Sequence, residues 1–447
     1  MMAALLPLGV ALELSALLTQ LPWLSWLAAL AFISYFALNF RRLNPYPRWL
    51  GIVTLGVLLL VVFNPRTDAS MWPKLASSAA YYTSFLGALG LMQLLAKRLP
   101  QLSELHKALL SGSTIVLYPR YVLTAGSIGS ILNFGMMNLL CDTLVTHLRR
   151  YPLTDLQRRE GLRSVMVTTL RGFALVPLLA PTSVTIAIIS REMPELSWSS
   201  MVPYGAVAAV MMILVGWRRE TRGLLALRDN IGDTTRAEGM WGLLGGSLLG
   251  LILIGLLAWQ TVLSAPQSAM LLVPVGVTLY LLWRDRSPRK ALGEVADNMS
   301  SMHNEMFIFG CAALLGGALG AIAPLEEIAG RLAAEPKYNL LLAVFSLFST
   351  ITLAVLGVAP IVSLSLIAGL LSQLALLGVP IMTPAVGLMC GFSLAMICSP
   401  FGPSTLILAR YSGETPFRVA FVWNGRFVAS VMPLLLLLLF GTYWWHS

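Results

Sequence analysis

Residues Pro181–Pro194 read PTSVTIAIISREMP and Pro403–Pro416 read PSTLILARYSGETP; the two superpose without a gap at an offset of 222 residues, about half of the 447-residue chain. The same offset sets Gly135 on Gly357 and Ser127 on Ser349, so one register joins two separate stretches of each half. Near-repetition of this kind in an apolar chain is the sequence mark of an internally duplicated transporter.

The chain is apolar throughout, with 57% hydrophobic and 11% charged residues and a mean hydropathy of +0.78. A single water-soluble core cannot hide that much apolar surface, so the lipid bilayer is the expected surrounding. Apolar stretches near 4–19, 21–40, 49–64, 76–96, 164–189, 197–217, 240–262, 268–283, 306–324, 385–409 and 418–445 predict eleven transmembrane helices. Two further regions, about 108–147 and 339–378, are too long for one span and carry Gly, Ser, Asn or Pro in the middle. They predict re-entrant hairpins, because non-helical backbone at depth is tolerated where it lines a cavity. Trp49, Trp198, Trp217, Trp241, Trp283, Trp444 and Trp445 lie near segment ends, where aromatic belts form.

Charge then sets the topology. The formal net charge of +10 is concentrated in short loops, around Arg41/Arg42/Arg48, Lys97/Arg98/Lys107, Arg149–Arg163, Arg218–Arg236, Arg284–Lys290 and Arg410/Arg418. Basic loops of this kind fix orientation and do not point to nucleic acid. Loop 149–163 carries five Arg, whereas its 222-offset counterpart, 371–385, carries no charge. Equivalent loops are therefore expected on opposite faces. An odd number of spans per half would give this inversion. The expected division is an extra N-terminal helix at 1–20, a first repeat at 21–217, a cytoplasmic linker at 218–239 and a second repeat at 240–447. The N-terminus is expected in the cytoplasm, with Glu13 in a retained first helix. Cys141, Cys311, Cys390 and Cys398 lie in apolar segments without metal-like spacing.

Candidate chemistry falls in the hairpins and in the helices after them. The first hairpin places Ser130, Asn133, Gly135 and Asn138 in an apolar run. Glycine permits a tight tip there, and free amides or carbonyls at such a tip can hold a carboxylate or Na⁺; the competing reading is close helix packing. The second hairpin has Gly357 and Pro360 at its tip and few polar side chains, so ligation there would come from backbone. Beyond the hairpins, Pro181-Thr182-Ser183 and Ser399-Pro400-Phe401-Gly402-Pro403-Ser404-Thr405 each place prolines beside hydroxyl groups in mid-span. Proline removes an amide donor, so each helix is expected to break and expose carbonyls to a cation and amides to an anion. Among ionisable groups in apolar segments, Asp142 is a candidate proton or cation acceptor, and Arg171 either attracts an anion or snorkels to the cytoplasmic face.

These motifs resemble the ion transporter superfamily, which includes divalent-anion/sodium symporters, large membrane subunits of tripartite carriers, and arsenite or sodium/proton antiporters. The resemblance covers most of the chain in architecture and two short motifs in sequence. It implies hairpin tips and broken helices around substrate and Na⁺, with Ser130, Asn133, Pro181-Thr182-Ser183 and Pro403-Ser404-Thr405 in comparable places. The family's contiguous Ser-Asn-Thr triplet is absent from both hairpins. The resemblance further implies an all-α elevator transporter, a homodimer in a bacterial-type inner membrane, and a periplasmic binding protein as a partner in the tripartite case.

The expected function is thus secondary transport of a small organic anion, carboxylate-like, coupled to Na⁺ or H⁺ and needing no other cofactor. The alternative is a proton-coupled antiporter or exporter. An integral membrane enzyme, such as a lipid-modifying transferase, would need a His-Glu metal motif, an Asp-rich cluster or a nucleotide loop, and the sequence contains none of these.

Overall fold

The computed structural model describes residues 4–64, 68–98, 116–132, 134–149, 151–231, 240–323, 325–334 and 337–446. These are helical, with no strand among the described residues. Along the first half run α1 (Leu5–Thr19), α2 (Pro22–Asn39), α3 (Pro45–Phe63), α4 (Met71–Gly90), α5 (Met92–Arg98), α6 (Leu117–Leu132), α7 (Phe134–Leu148), α8 (Asp155–Phe173), α9 (Val176–Leu179), α10 (Val184–Glu192) and α11 (Trp198–Ile231). The second half contains α12 (Met240–Gln260), α13 (Ala265–Asp285), α14 (Pro288–Ser301), α15 (His303–Ile322), α16 (Leu325–Ala334), α17 (Lys337–Val355), α18 (Pro360–Leu376), α19 (Met382–Cys398), α20 (Pro403–Ser412) and α21 (Gly425–His446).

Local chemistry sets many of the boundaries. Thr154 and Ser264 each close a capping box with Gln157 and Gln267, which satisfies the first free amides of α8 and α13. Proline begins α2, α3, α14, α18 and α20, where its missing N–H costs nothing. Between α17 and α18 the chain reverses at Gly357, whose φ of +102° favours glycine.

Among the described residues, nine helical stretches are long and apolar enough to cross a membrane. Eight coincide with expected spans; the ninth is α17, which the sequence reading assigns to a re-entrant hairpin. At 19 residues α17 is about 28 Å long, close to the thickness of a hydrocarbon core. Three of the eleven expected spans fall short of that description: α1 and the 248–260 stretch of α12 are shorter apolar helices, and α4 is interrupted by Lys74, Ser77, Ser78, Thr83 and Ser84. The chain is thus a multi-pass helical membrane protein.

Packing recurs between the halves. α6 packs on α8 as α17 packs on α19; α8 packs on α11 as α19 packs on α21; and α3 packs on α15 as α13 packs on α4. The exchange is sharpest where α7 packs on α20 and α18 on α10, each meeting the short helix of the other half. Backbones approach closely where glycines meet. A Cβ on Gly369 would stand 2.2 Å from the Gly316 carbonyl oxygen, and one on Gly387 2.3 Å from that of Ala343. Small-residue contacts of this kind bring helices together in lipid, where apolar burial alone gives no drive.

Candidate functional site

Both proline and hydroxyl motifs are breaks in helices. In the first half the chain leaves helix at Ala180–Ser183, and α10 restarts at Val184. In the second it leaves helix at Ser399–Gly402 and restarts at Pro403. Pro181 and Pro400 lie inside the breaks, where no amide donor is required of them.

The hydroxyl groups bond the backbone at the breaks and the helices beside them, and only Ser404 and Thr405 take carbonyls that a break sets free. Ser183 caps α10 by accepting from the Ile186 N–H at 3.2 Å. Thr182 donates to the Ser130 carbonyl, which ties the first break to α6. Ser399 donates to the Ala354 carbonyl at 2.6 Å, tying the second break to α17 in the same manner. Ser404 donates to Met396 O at 2.6 Å, and Thr405 to Ser399 O and Gly402 O. All five hydroxyl residues are buried. A hydroxyl that donates its proton keeps its lone pairs, so these oxygens remain able to face a cation.

A small cavity joins the parts. It is lined by Gly129 and Ser130 of α6, Phe173, Val176 and Pro177 before the first break, Thr182, Ser183 and Val184 at the break, Leu89 of α4, and Phe392 and Met396 of α19. At about 20 Å³ it has room for one water-sized particle. The first break lines the cavity itself; the second does not, and the helix before it, α19, lines the cavity through Phe392 and Met396, the Met396 carbonyl accepting from Ser404. A larger cleft of about 270 Å³ lies elsewhere, lined by Leu94, Arg98, Glu294, Asp297, Asn298 and Ser301. There Arg98 pairs with Asp285 at 2.9 Å and with Glu294.

The other expected site residues are distributed differently. Ser130 lines the cavity and turns its hydroxyl back to Ser127 O at 2.7 Å. Asn133 lies outside the described residues; Gly135 is in α7. Asn138 and Asp142 are exposed on α7 and are not among the cavity-lining residues. Gly357 and Pro360 form the turn and the first position of α18. Gly126 serves helix packing, since a Cβ there would lie 3.0 Å from the Gly172 carbonyl oxygen.

Arg171 neither snorkels nor faces the cavity. Its side chain is buried, 3.3 Å from Glu220 of α11, and its guanidinium lies 4.1 Å above the Phe427 ring. Arg163 approaches the same carboxylate at 3.4 Å from the half-exposed side. Charge partners offset the large cost of burying the guanidinium, and the ring face adds a further attraction. Sequence reading missed Glu220 because it sits beside basic residues at the head of the charged linker. Ser393, which donates to Ala174 O at 2.6 Å and joins α19 to the end of α8, was equally hidden in an apolar run.

Among the described residues no group of three or more His, Cys, Asp or Glu is placed to hold a metal ion. No protein-family model and no curated protein matches the chain.

Proposed function

We propose that the chain is a secondary active transporter for a small carboxylate-like anion, coupled to Na⁺ or H⁺, built as two inverted-topology repeats that give alternating access. The observation that carries this reading is the pair of broken helices, the first tied by Thr182 to α6 and the second by Ser399 to α17, with both helices lining one small cavity. Breaks cost backbone hydrogen bonds, so a pair at matching places is hard to explain as packing alone.

Chemistry at the cavity fits an anion accompanied by a cation. The positive end of α10 starts at cavity-lining Ser183 and Val184, a position that favours negative charge. The neighbouring hydroxyl and carbonyl oxygens suit a hard cation. The cavity in its present form is too small for an organic anion, so under this reading it is a closed state that must open to load. The reciprocal contacts of hairpins and short helices, α7 with α20 and α18 with α10, support treating α6–α10 and α17–α20 as one moving body, as an elevator mechanism requires.

Uptake by purified protein in liposomes, across labelled mono-, di- and tricarboxylates under imposed Na⁺ and then H⁺ gradients, tests the reading. Gradient-dependent uptake that is lost in Ser404→Ala/Thr405→Ala supports it. Absence of both uptake and counterflow across the panel sinks the carboxylate reading. Accumulation only when the proton gradient is reversed would favour the antiporter alternative.

A further inference from the structure

Charge away from the cavity gathers around Glu13, buried in the middle of α1. Glu13 is 1% exposed, and its Oε2 has no hydrogen-bond partner. Helices α2, α4, α13 and α14 pack on α1. From α2, Ser25 faces the carboxyl; from α4 comes Tyr81; and Arg191, at the end of α10, acts on it as a charge. The buried residues of α13 include no ionisable group, and Glu294 and Asp297 of α14 line the Arg98 cleft instead.

Arg191 is shared. Its Nη2 donates to Ser77 Oγ at 2.5 Å, its guanidinium lies 5.1 Å from the Tyr81 ring centre, and the adjoining Glu192 accepts from Tyr82 Oη at 2.7 Å. Two carboxyls, Glu13 and Glu192, therefore lie in the field of one guanidinium that is bonded to Ser77 and pairs directly with neither. With both ionised the cluster carries one uncompensated negative charge in apolar surroundings, and a single bound proton removes it. Glu13, more deeply buried and with an oxygen unpartnered, is where that proton belongs.

We propose that Glu13 is a proton-binding site whose occupancy is set by Arg191, and that this proton is the ion coupled to transport. The coupling rests on the transport reading above. Glu13 sits in the group of α1, α2 and α4, whereas Arg191 closes the short helix that begins at the cavity-lining break. Movement of α10 past α1 changes their separation. Approach of the guanidinium stabilises the carboxylate and lets the proton leave to water; withdrawal restores the neutral acid by taking a proton back.

Infrared difference spectroscopy of the reconstituted protein reads the C=O stretch of a protonated carboxyl with no substrate present. Expected is a band at neutral pH that is absent in Glu13→Gln, weakened in Glu192→Gln, where Arg191 is left to balance Glu13 alone, and strengthened in Arg191→Gln. A spectrum with no Glu13-dependent band at neutral pH overturns the site. Should Glu13→Gln not fold, the shift of the band between wild type and Glu13→Asp decides the same point. In the same liposomes, Glu13→Gln is expected to keep carboxylate counterflow and lose proton-driven accumulation; unchanged accumulation overturns the coupling. Wild-type protein that moves none of the carboxylates contradicts the transport reading, and the infrared band still decides whether Glu13 holds a proton.

Discussion

The Tyr46 hydroxyl, at the head of α3, accepts a hydrogen bond of 2.8 Å from the Ala359 N–H in the turn that joins α17 to α18. A helix of the first half thereby holds the tip of the hairpin of the second. The turn needs such a partner, because Pro360 starts the next helix and Gly357 has already left helical conformation. Removing the acceptor in Tyr46→Phe should cost about 1 kcal/mol. Amide exchange at residues 356–359 should then quicken while exchange in the body of α18 stays unchanged. Unaltered exchange at the turn would mean that the contact fastens nothing.

Arg171 and Glu220 form a buried pair, and breaking such a pair costs more than replacing it. Glu220→Leu alone should destabilise by about 3–5 kcal/mol, since it strands a guanidinium among apolar neighbours. The double variant Arg171→Met/Glu220→Leu should recover most of the loss. Unfolding in detergent, followed for both variants, checks this. A double variant no more stable than the single one would show that Arg171 does more than answer Glu220.

Glycine at 369 is required by contact. A methyl group there would meet the Gly316 carbonyl, so Gly369→Ala must push α15 from α18, at about 1–3 kcal/mol for overpacking. Gly56→Ala in α3 meets nothing within 4 Å and serves as the control. It should leave the melting temperature unchanged or raise it slightly, through the better helix propensity of alanine.

The two breaks should respond alike if they play matching parts. Thr182→Val and Ser399→Ala each remove one hydroxyl that holds a break to its hairpin. Each should cost about 1 kcal/mol in stability, and each should reduce counterflow far more than a loss of that size explains. Loss in one variant alone would break the correspondence between the halves.

Much of the architecture was legible because it rests on local chemistry. Prolines beside hydroxyls in mid-span located both breaks, and Gly357 located the hairpin turn. What could not be read depends on partners remote in sequence. Arg171 looked free because its carboxylate lies 49 residues away on another helix. Asn138 and Asp142 looked like cavity residues from their glycine-rich neighbourhood, yet the face of α7 that turns inward is chosen by its contacts with α8 and α20. Gly126, in α6, presents a related difficulty. The same residue type serves a cavity or a close helix crossing, and only the position of Gly172 separates the two. The proposed hairpin depth was also out of reach, since the length of α17 satisfies a full span as well as a long re-entrant arm.

The central claim is that the cavity between the two broken helices opens to each side of the membrane in turn. Val184 lines the cavity without using its side chain in a hydrogen bond, and Cys141, Cys311, Cys390 and Cys398 are buried. Labelling of Val184→Cys by a membrane-impermeant thiol reagent, applied separately to each face of oriented vesicles, is the direct measurement. The account predicts slow labelling from both faces, with substrate or the coupling ion changing the balance between them. A cysteine reached from one face alone, or from neither, under every gradient and substrate condition would contradict alternating access at this site.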